Sequence, residues 1–208
     1  MTKKWSNENL PGALHFVTGN VLGRKRIFLN EAACIAFMSA LQALRSERKC
    51  KLAAFVLMPD HFHLTLNPDD GDIRRTCGEL KSRTASTLVD LFPENHFKVS
   101  EGRNQVWQQS FKALSLWSDY MIKQKVDYIH ANPVRAGLAK STIDYRWSSF
   151  HARYHQCADP LLQIDSEWWW LDDVQKLERA FGEKQATLDM ELQEKKERGQ
   201  AALPDCEL

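Results

Sequence analysis

Two strand-length apolar runs separated by only two residues constrain this chain more than any other feature. Residues 52–58 (Leu-Ala-Ala-Phe-Val-Leu-Met) and 61–67 (His-Phe-His-Leu-Thr-Leu-Asn) flank Pro59-Asp60. A two-residue connection joins antiparallel neighbours and cannot accommodate a crossover, and Pro-Asp suits a tight corner. Side chains alternate along a strand, so His61 and His63 share one face and Phe62 takes the other. Two imidazoles side by side suit a metal ion or a phosphate better than they suit a packed core.

The flanking segments extend this hairpin into a domain. Residues 12–21 are rich in β-branched and aromatic side chains and predict a strand, followed by a basic loop over 23–28. From Asn30, a good N-cap, Ala33, Phe37, Leu41 and Leu44 recur at helical spacing. After a turn at 67–71, a second helix over 72–92 places Ile73, Cys77, Leu80 and Leu88 broadly on one side. Residues 93–104 read as a loop and 105–114 as a final strand. A third helix over 118–132 follows, with Pro133 expected to close it.

The order is β-α-β-β-α-β plus one helix. It predicts an α+β fold, the ferredoxin-like split βαβ plan, with an antiparallel sheet and helices on one face. The domain is expected over residues 1–154. Residues 155–208, with Glu167-Trp168-Trp169-Trp170, predict a peripheral helical tail.

Charge separates these two parts. Residues 1–154 hold 22 Lys+Arg against 14 Asp+Glu, and residues 155–208 hold 6 against 13. A basic body points to a polyanionic partner. The best candidate phosphate contacts are Arg24, Lys25 and Arg26, then Arg74, Arg75, Lys81 and Arg83. Trp107 and Trp147 are candidates for base stacking, with core packing the expected role of each. The five cysteines form no CxxC pair and read as reduced structural thiols of a cytosolic protein. No apolar run of membrane-spanning length and no secretion signal are present.

In the third helix Ile122, Val126 and Ile129 define a buried stripe. Tyr128 and Asn132, four apart, neighbour one another on an adjacent face. Two imidazoles and an amide oxygen with a phenol nearby would suit Mg²⁺ or Mn²⁺, and Zn²⁺ less so for want of thiolates. Tyr120 and Gln124 repeat the same spacing one turn pair earlier and are the rival arrangement.

Three motifs together resemble a known family: Met-Pro-Asp-His-Phe-His-Leu-Thr-Leu at 58–66, Val-Asp-Tyr-Ile-His-Ala-Asn-Pro-Val-Arg-Ala-Gly-Leu at 126–138, and Tyr-Arg-Trp-Ser-Ser-Phe at 145–150. They are similar to those of the single-tyrosine HUH transposases, in the branch associated with repetitive extragenic palindromes. The resemblance covers residues 10–154. It implies His61, His63 and Asn132 as ligands of Mg or Mn, and Tyr128 as the catalytic tyrosine. Tyr128 is preferred over Tyr120 because it opens the Tyr-Ile-His-x-Asn-Pro motif. Arg135, inside that motif, joins the candidate DNA contacts. The resemblance further implies a cytoplasmic, nucleoid-associated enzyme that nicks and rejoins single-stranded DNA hairpins through a 5′-phosphotyrosyl intermediate.

Whether the chain acts as a monomer or a homodimer is left open by these motifs. The Phe111–Trp117 stretch departs from the acidic-histidine pattern common among relatives. Two alternatives belong to other classes: a domesticated hairpin-binding protein with little turnover, and a phosphohydrolase that uses water instead of tyrosine.

Overall fold

In the computed structural model, residues 12–47, 50–93, 96–154 and 161–165 are described. In chain order they form β1 (Leu14–Asn20), α1 (Glu31–Glu47), β2 (Cys50–Met58), β3 (His61–Pro68) and α2 (Ile73–Leu91). The hairpin β4 (Lys98–Ser100) and β5 (Arg103–Asn104) follows, then β6 (Lys112–Leu116), α3 (Asp119–Arg135) and α4 (Phe150–Tyr154). The main sheet runs β2-β3-β1-β6, every neighbour antiparallel. This is the expected split βαβ order.

Alternation along the strands divides the interior in two. Val17, Phe62, Leu64 and Leu66 face α1 and α2, whose Phe37, Leu41, Leu44, Ile73, Cys77 and Leu80 complete that core. Leu14, Phe16, Val56 and Met58 face the other way, against Ile122, Val126 and Ile129 of α3. The two crossover helices thus share one face, and the additional helix covers the opposite one. A register shift between Leu52 and Ala54 turns both Ala53 and Ala54 toward α3, where their small side chains admit the helix closely.

Helix termini follow their sequence signals. Asn30 Oδ1 accepts from the amides of Ala32 and Ala33, at 2.9 and 3.3 Å, and Asp72 Oδ1 accepts from Arg75 N at 3.0 Å. Pro133, however, does not end α3, which continues to Arg135. A proline in the last turn interrupts little, and the stop comes from a Schellman arrangement. Gly137, at φ 69°, donates to Val134 O, and Leu138 donates to Pro133 O.

Two more segments differ from the sequence reading. The span 93–104 is not all loop, because Lys98–Ser100 and Arg103–Asn104 pair around Glu101-Gly102. The last strand is Lys112–Leu116 instead of 105–114. Trp107 leaves the sheet to pack among Phe28, Phe37 and Phe62, with its Nε1 donating to Thr84 Oγ1 at 3.0 Å. Lys81 Nζ holds the resulting bend through the carbonyls of Gln108 and Gln109.

The packed body also runs past residue 154. Leu162 is buried in the α1–α2 core, and Asp165 accepts from Arg45 Nη2 at 2.6 Å and Leu52 N at 2.8 Å. The three tryptophans expected in a helical tail lie outside the described residues, as do Cys157 and Cys206. Cys34, Cys50 and Cys77 are buried free thiols.

Gly19 is the tightest point of the sheet. A Cβ there would lie 2.3 Å from Phe62 Cζ. Phe62 is fully buried against Phe37 and Trp107 and has no room to retreat. Gly19→Ala is expected to lower stability by about 1–3 kcal/mol through overpacking, read as a lower Tm by calorimetry. An unchanged Tm would mean that the ring has room to move.

Candidate active site

The pairing of β1 with β3 assembles the site. Thr18 lies opposite His63 and Asn20 opposite His61, so both imidazoles emerge on the face covered by α3. Their ring centroids are 4.9 Å apart. Tyr128 of α3 meets His63 at 5.3 Å between centroids, and Phe16 stacks on His63 at 5.4 Å. The paired histidines and the tyrosine, remote in sequence, are therefore in direct contact. The rival Tyr120 is 75% exposed.

Hydrogen bonds orient the rings. Asp60 Oδ1 lies 2.5 Å from His61 Nδ1. A carboxylate can only accept, so Nδ1 carries the hydrogen and the lone pair of the neutral ring is at Nε2. Burial keeps the His61 pKa below its ordinary value, against the opposing pull of Asp60. Burial also lowers His63 to about 3, with the charges of His61, Arg24 and Lys125 adding to the effect. Thr18 Oγ1 lies 2.8 Å from His63 Nδ1, while His63 Nε2 is buried with no hydrogen-bond partner.

Neutral imidazoles, each held at Nδ1 by an outer group, form the arrangement that presents Nε2 to a metal. The orphaned Nε2 of His63 is the observation that a bound cation would explain. Asn132 is half-buried one turn beyond Tyr128. Among the described residues, no three His, Cys, Asp or Glu side chains converge on one point. The candidate donor set is two imidazoles and an amide.

Two cations flank the phenol. Lys125 Nζ lies 5.8 Å from the Tyr128 ring centroid and 5.1 Å from that of Phe16. Arg135 Cζ lies 5.8 Å from Tyr128. The sequence motifs point to Arg135 but miss Lys125. Its position three residues before Tyr128 on a helix is the available signal.

The remaining candidate DNA contacts are dispersed. Arg24 pairs with Asp60 at 2.9 Å and so borders the histidines. Lys25 donates to His96 O and lies over Phe97, and Arg26 is exposed on the same turn. Arg74, Arg75, Lys81 and Arg83 belong to α2, across the sheet from His61 and His63. Arg75 is paired with Asp70 and Arg83 with Glu47, at 2.6 Å for the latter. Trp107 is core, and Trp147 packs against that core beneath Arg146.

His130 and the Trp-Ser-Ser motif close the other edge of the sheet. Residues 147–149 run along β2, with Leu57 N donating to Trp147 O and Ser149 N to Phe55 O. His130 Nε2 lies 2.8 Å from Ser149 Oγ, which also accepts from Phe55 N at 2.9 Å. Burial drops the His130 pKa to about 4. Between that value and the ordinary 6.5, the unfolded chain binds a proton that the folded chain excludes. Stability is therefore full above about pH 6.5 and falls as pH drops toward 4. A thermal melt series should show Tm declining through this window, less steeply in His130→Gln. Parallel curves would remove His130 as a cause.

The family model described as "Transposase IS200 like" matches residues 13–132. The REP-associated tyrosine transposase of Escherichia coli (strain K12) is 26% identical over 167 residues, covering 79% of this chain and 88% of that protein. A Haemophilus influenzae protein given the same name provisionally is 29% identical, covering 67% of this chain and 81% of its own. A solved structure, described as a REP-associated tyrosine transposase bound to a REP hairpin, aligns with a TM-score of 0.61. It is 21% identical and covers 81% of this chain and 98% of that one. Among the described residues, no helix is long and apolar enough to cross a membrane.

Proposed function

Because the chain belongs to the IS200-like transposase family, we propose that it nicks and rejoins single-stranded DNA at hairpins of palindromic repeats, with Tyr128 as nucleophile. The observation that carries this reading is the contact of Tyr128 with His63, beside the free Nε2 of both histidines. His61, His63 and Asn132 would hold Mg²⁺ or Mn²⁺. Such an ion, when bound, supplies polarisation of the scissile phosphate.

The chain's own residues account for the rest. The Tyr128 hydroxyl oxygen attacks phosphorus and forms a phosphotyrosyl bond to the 5′ side of the cut. The P–O3′ bond breaks, and the leaving oxygen takes a proton to become a free 3′-hydroxyl. A tyrosine is a weak nucleophile at neutral pH, with a reference pKa near 10, so positioning and charge must assist it. Lys125 and Arg135, on either side of the ring, would draw the phosphate into reach and offset its charge. Attack by another strand's 3′-hydroxyl on the phosphotyrosine reverses the step and joins the strands without ATP.

Arg24, Lys25 and Arg26 continue this cationic surface beyond His61 and would track the flanking strand. Arg74, Arg75 and Arg83, across the sheet, would contact a more distant part of the hairpin stem.

The test is a hairpin oligonucleotide, labelled on the 3′ side of the expected cut, incubated with full-length protein and Mn²⁺ and resolved on a denaturing protein gel. Label migrating with the protein, and lost with chelator, is the expected result. Tight hairpin binding with no adduct would instead support a binding protein with little turnover.

A further inference from the structure

We infer that Arg24 and Asp60 tune the metal site from outside it: Asp60 positions His61 as a ligand, and Arg24 competes for that carboxylate until a DNA phosphate draws it away. The inference rests on the metal reading of His61 and His63 given above.

Asp60 is shared between two partners. Its Oδ1 takes the Nδ1–H of His61 at 2.5 Å, and its Oδ2 takes Arg24 Nε at 2.9 Å. The Arg24 guanidinium also donates through Nη1 to Asn20 Oδ1. Asn20 in turn donates to Gln108 Oε1 at 3.3 Å and stands opposite His61 in the sheet. A second clamp acts on the backbone: Val21 N donates to Asp60 O at 2.9 Å and Phe28 N to Pro59 O at 3.0 Å. The turn bearing Arg24 is thereby pinned to the corner bearing Asp60.

The backbone at Arg24 is itself unusual. It has φ 55°, the only positive value for a non-glycine among the described residues, directly after Gly23 at φ 65°. Such strain in an L-residue persists where the surroundings enforce it and gathers at functional sites. Stability alone is a poor explanation, because the Arg24 side chain is 51% exposed and an exposed ion pair contributes little. The exposed position instead leaves the guanidinium reachable by a phosphate, its preferred bidentate partner.

Charge sharing supplies the coupling. While Arg24 holds Oδ2, part of the carboxylate's charge is neutralised, and its support of His61 is weakened. When a phosphate takes the guanidinium, the full carboxylate acts on Nδ1–H and raises the donor strength of Nε2. Metal and DNA then favour one another's binding, as linkage requires.

Calorimetric titration of Mn²⁺ into full-length protein at fixed pH, without DNA, tests the first part. Asp60→Ala should weaken binding by about 10–100-fold, the usual effect of losing an outer-sphere partner. Asp60→Asn, which keeps a neutral acceptor for Nδ1–H, should recover part of that loss. Arg24→Gln should move the other way and bind Mn²⁺ more tightly than wild type, an outcome that a purely structural role would not produce. With hairpin DNA present, the gain in Mn²⁺ affinity should be larger in wild type than in Arg24→Gln.

Wild-type affinity in Asp60→Ala, weaker or unchanged affinity in Arg24→Gln, or equal DNA-induced gains would overturn the inference alone. A wild-type protein that takes up no Mn²⁺ with or without DNA would overturn the metal reading with it.

Discussion

Tyr128→Phe is expected to abolish covalent capture of a hairpin oligonucleotide while leaving hairpin affinity and Tm close to wild type. The phenyl ring keeps its contacts with His63 and Phe16, at centroid distances of 5.3 and 5.8 Å, and only the hydroxyl is lost. No other group then supplies the attacking oxygen, so the adduct should fall to background. Tyr120→Phe should retain it, since that side chain is 75% exposed at the start of α3. A gel comparing the three proteins separates the two tyrosines. Adduct surviving in Tyr128→Phe but lost in Tyr120→Phe would reverse the assignment.

His63→Leu should separate function from stability more sharply. His63 is 5% exposed, and its Nε2 lacks a partner. A buried polar atom left unsatisfied costs about 1–3 kcal/mol, so an apolar side chain of similar size should leave Tm unchanged or raise it. The same substitution deletes a proposed ligand. Mn²⁺ affinity should fall by more than the roughly 10–100-fold attached to outer-sphere partners, and adduct formation should fall with it. Residues that relieve a functional strain when replaced commonly behave this way. A large loss of Tm with Mn²⁺ binding intact would instead make His63 a structural residue.

The legible parts of this fold are those governed by strict periodicity. Period-2 alternation alone assigns His61 and His63 to one face, because a two-residue corner leaves the strands a single mode of pairing. Helical spacing marks Phe37, Leu41, Leu80 and Val126 as interior, and all are buried. The misread elements depend on contacts between remote segments. The apolar, aromatic run from Gln105 has strand character, but Trp107 gains more from packing among Phe28, Phe37 and Phe62 than from the sheet. Pro133 resembles a helix stop, yet the termination lies with Gly137, whose left-handed backbone closes the Schellman bonds.

The site shows the same division. Tyr128 and Asn132 are visible through helical spacing and motif order. The reach of Lys125 over two rings is not, since it depends on α3 crossing above Phe16. Nor is the sharing of Asp60 between His61 and Arg24. These residues come from the hairpin corner and from a turn that precedes α1, joined only by the β1–β3 pairing. Their side chains carry no sequence mark of partnership.

The most direct test of the central claim is to locate the DNA on the protein. Full-length protein would be trapped with a single-stranded hairpin and Mn²⁺, digested with nuclease and protease, and its nucleotide-bearing peptide sequenced by mass spectrometry. The account predicts a 5′-phosphonucleotide on Tyr128 and a free 3′-hydroxyl on the released strand. A nucleotide on Tyr120 or another side chain, or cleavage that leaves no protein-bound nucleotide, would contradict it.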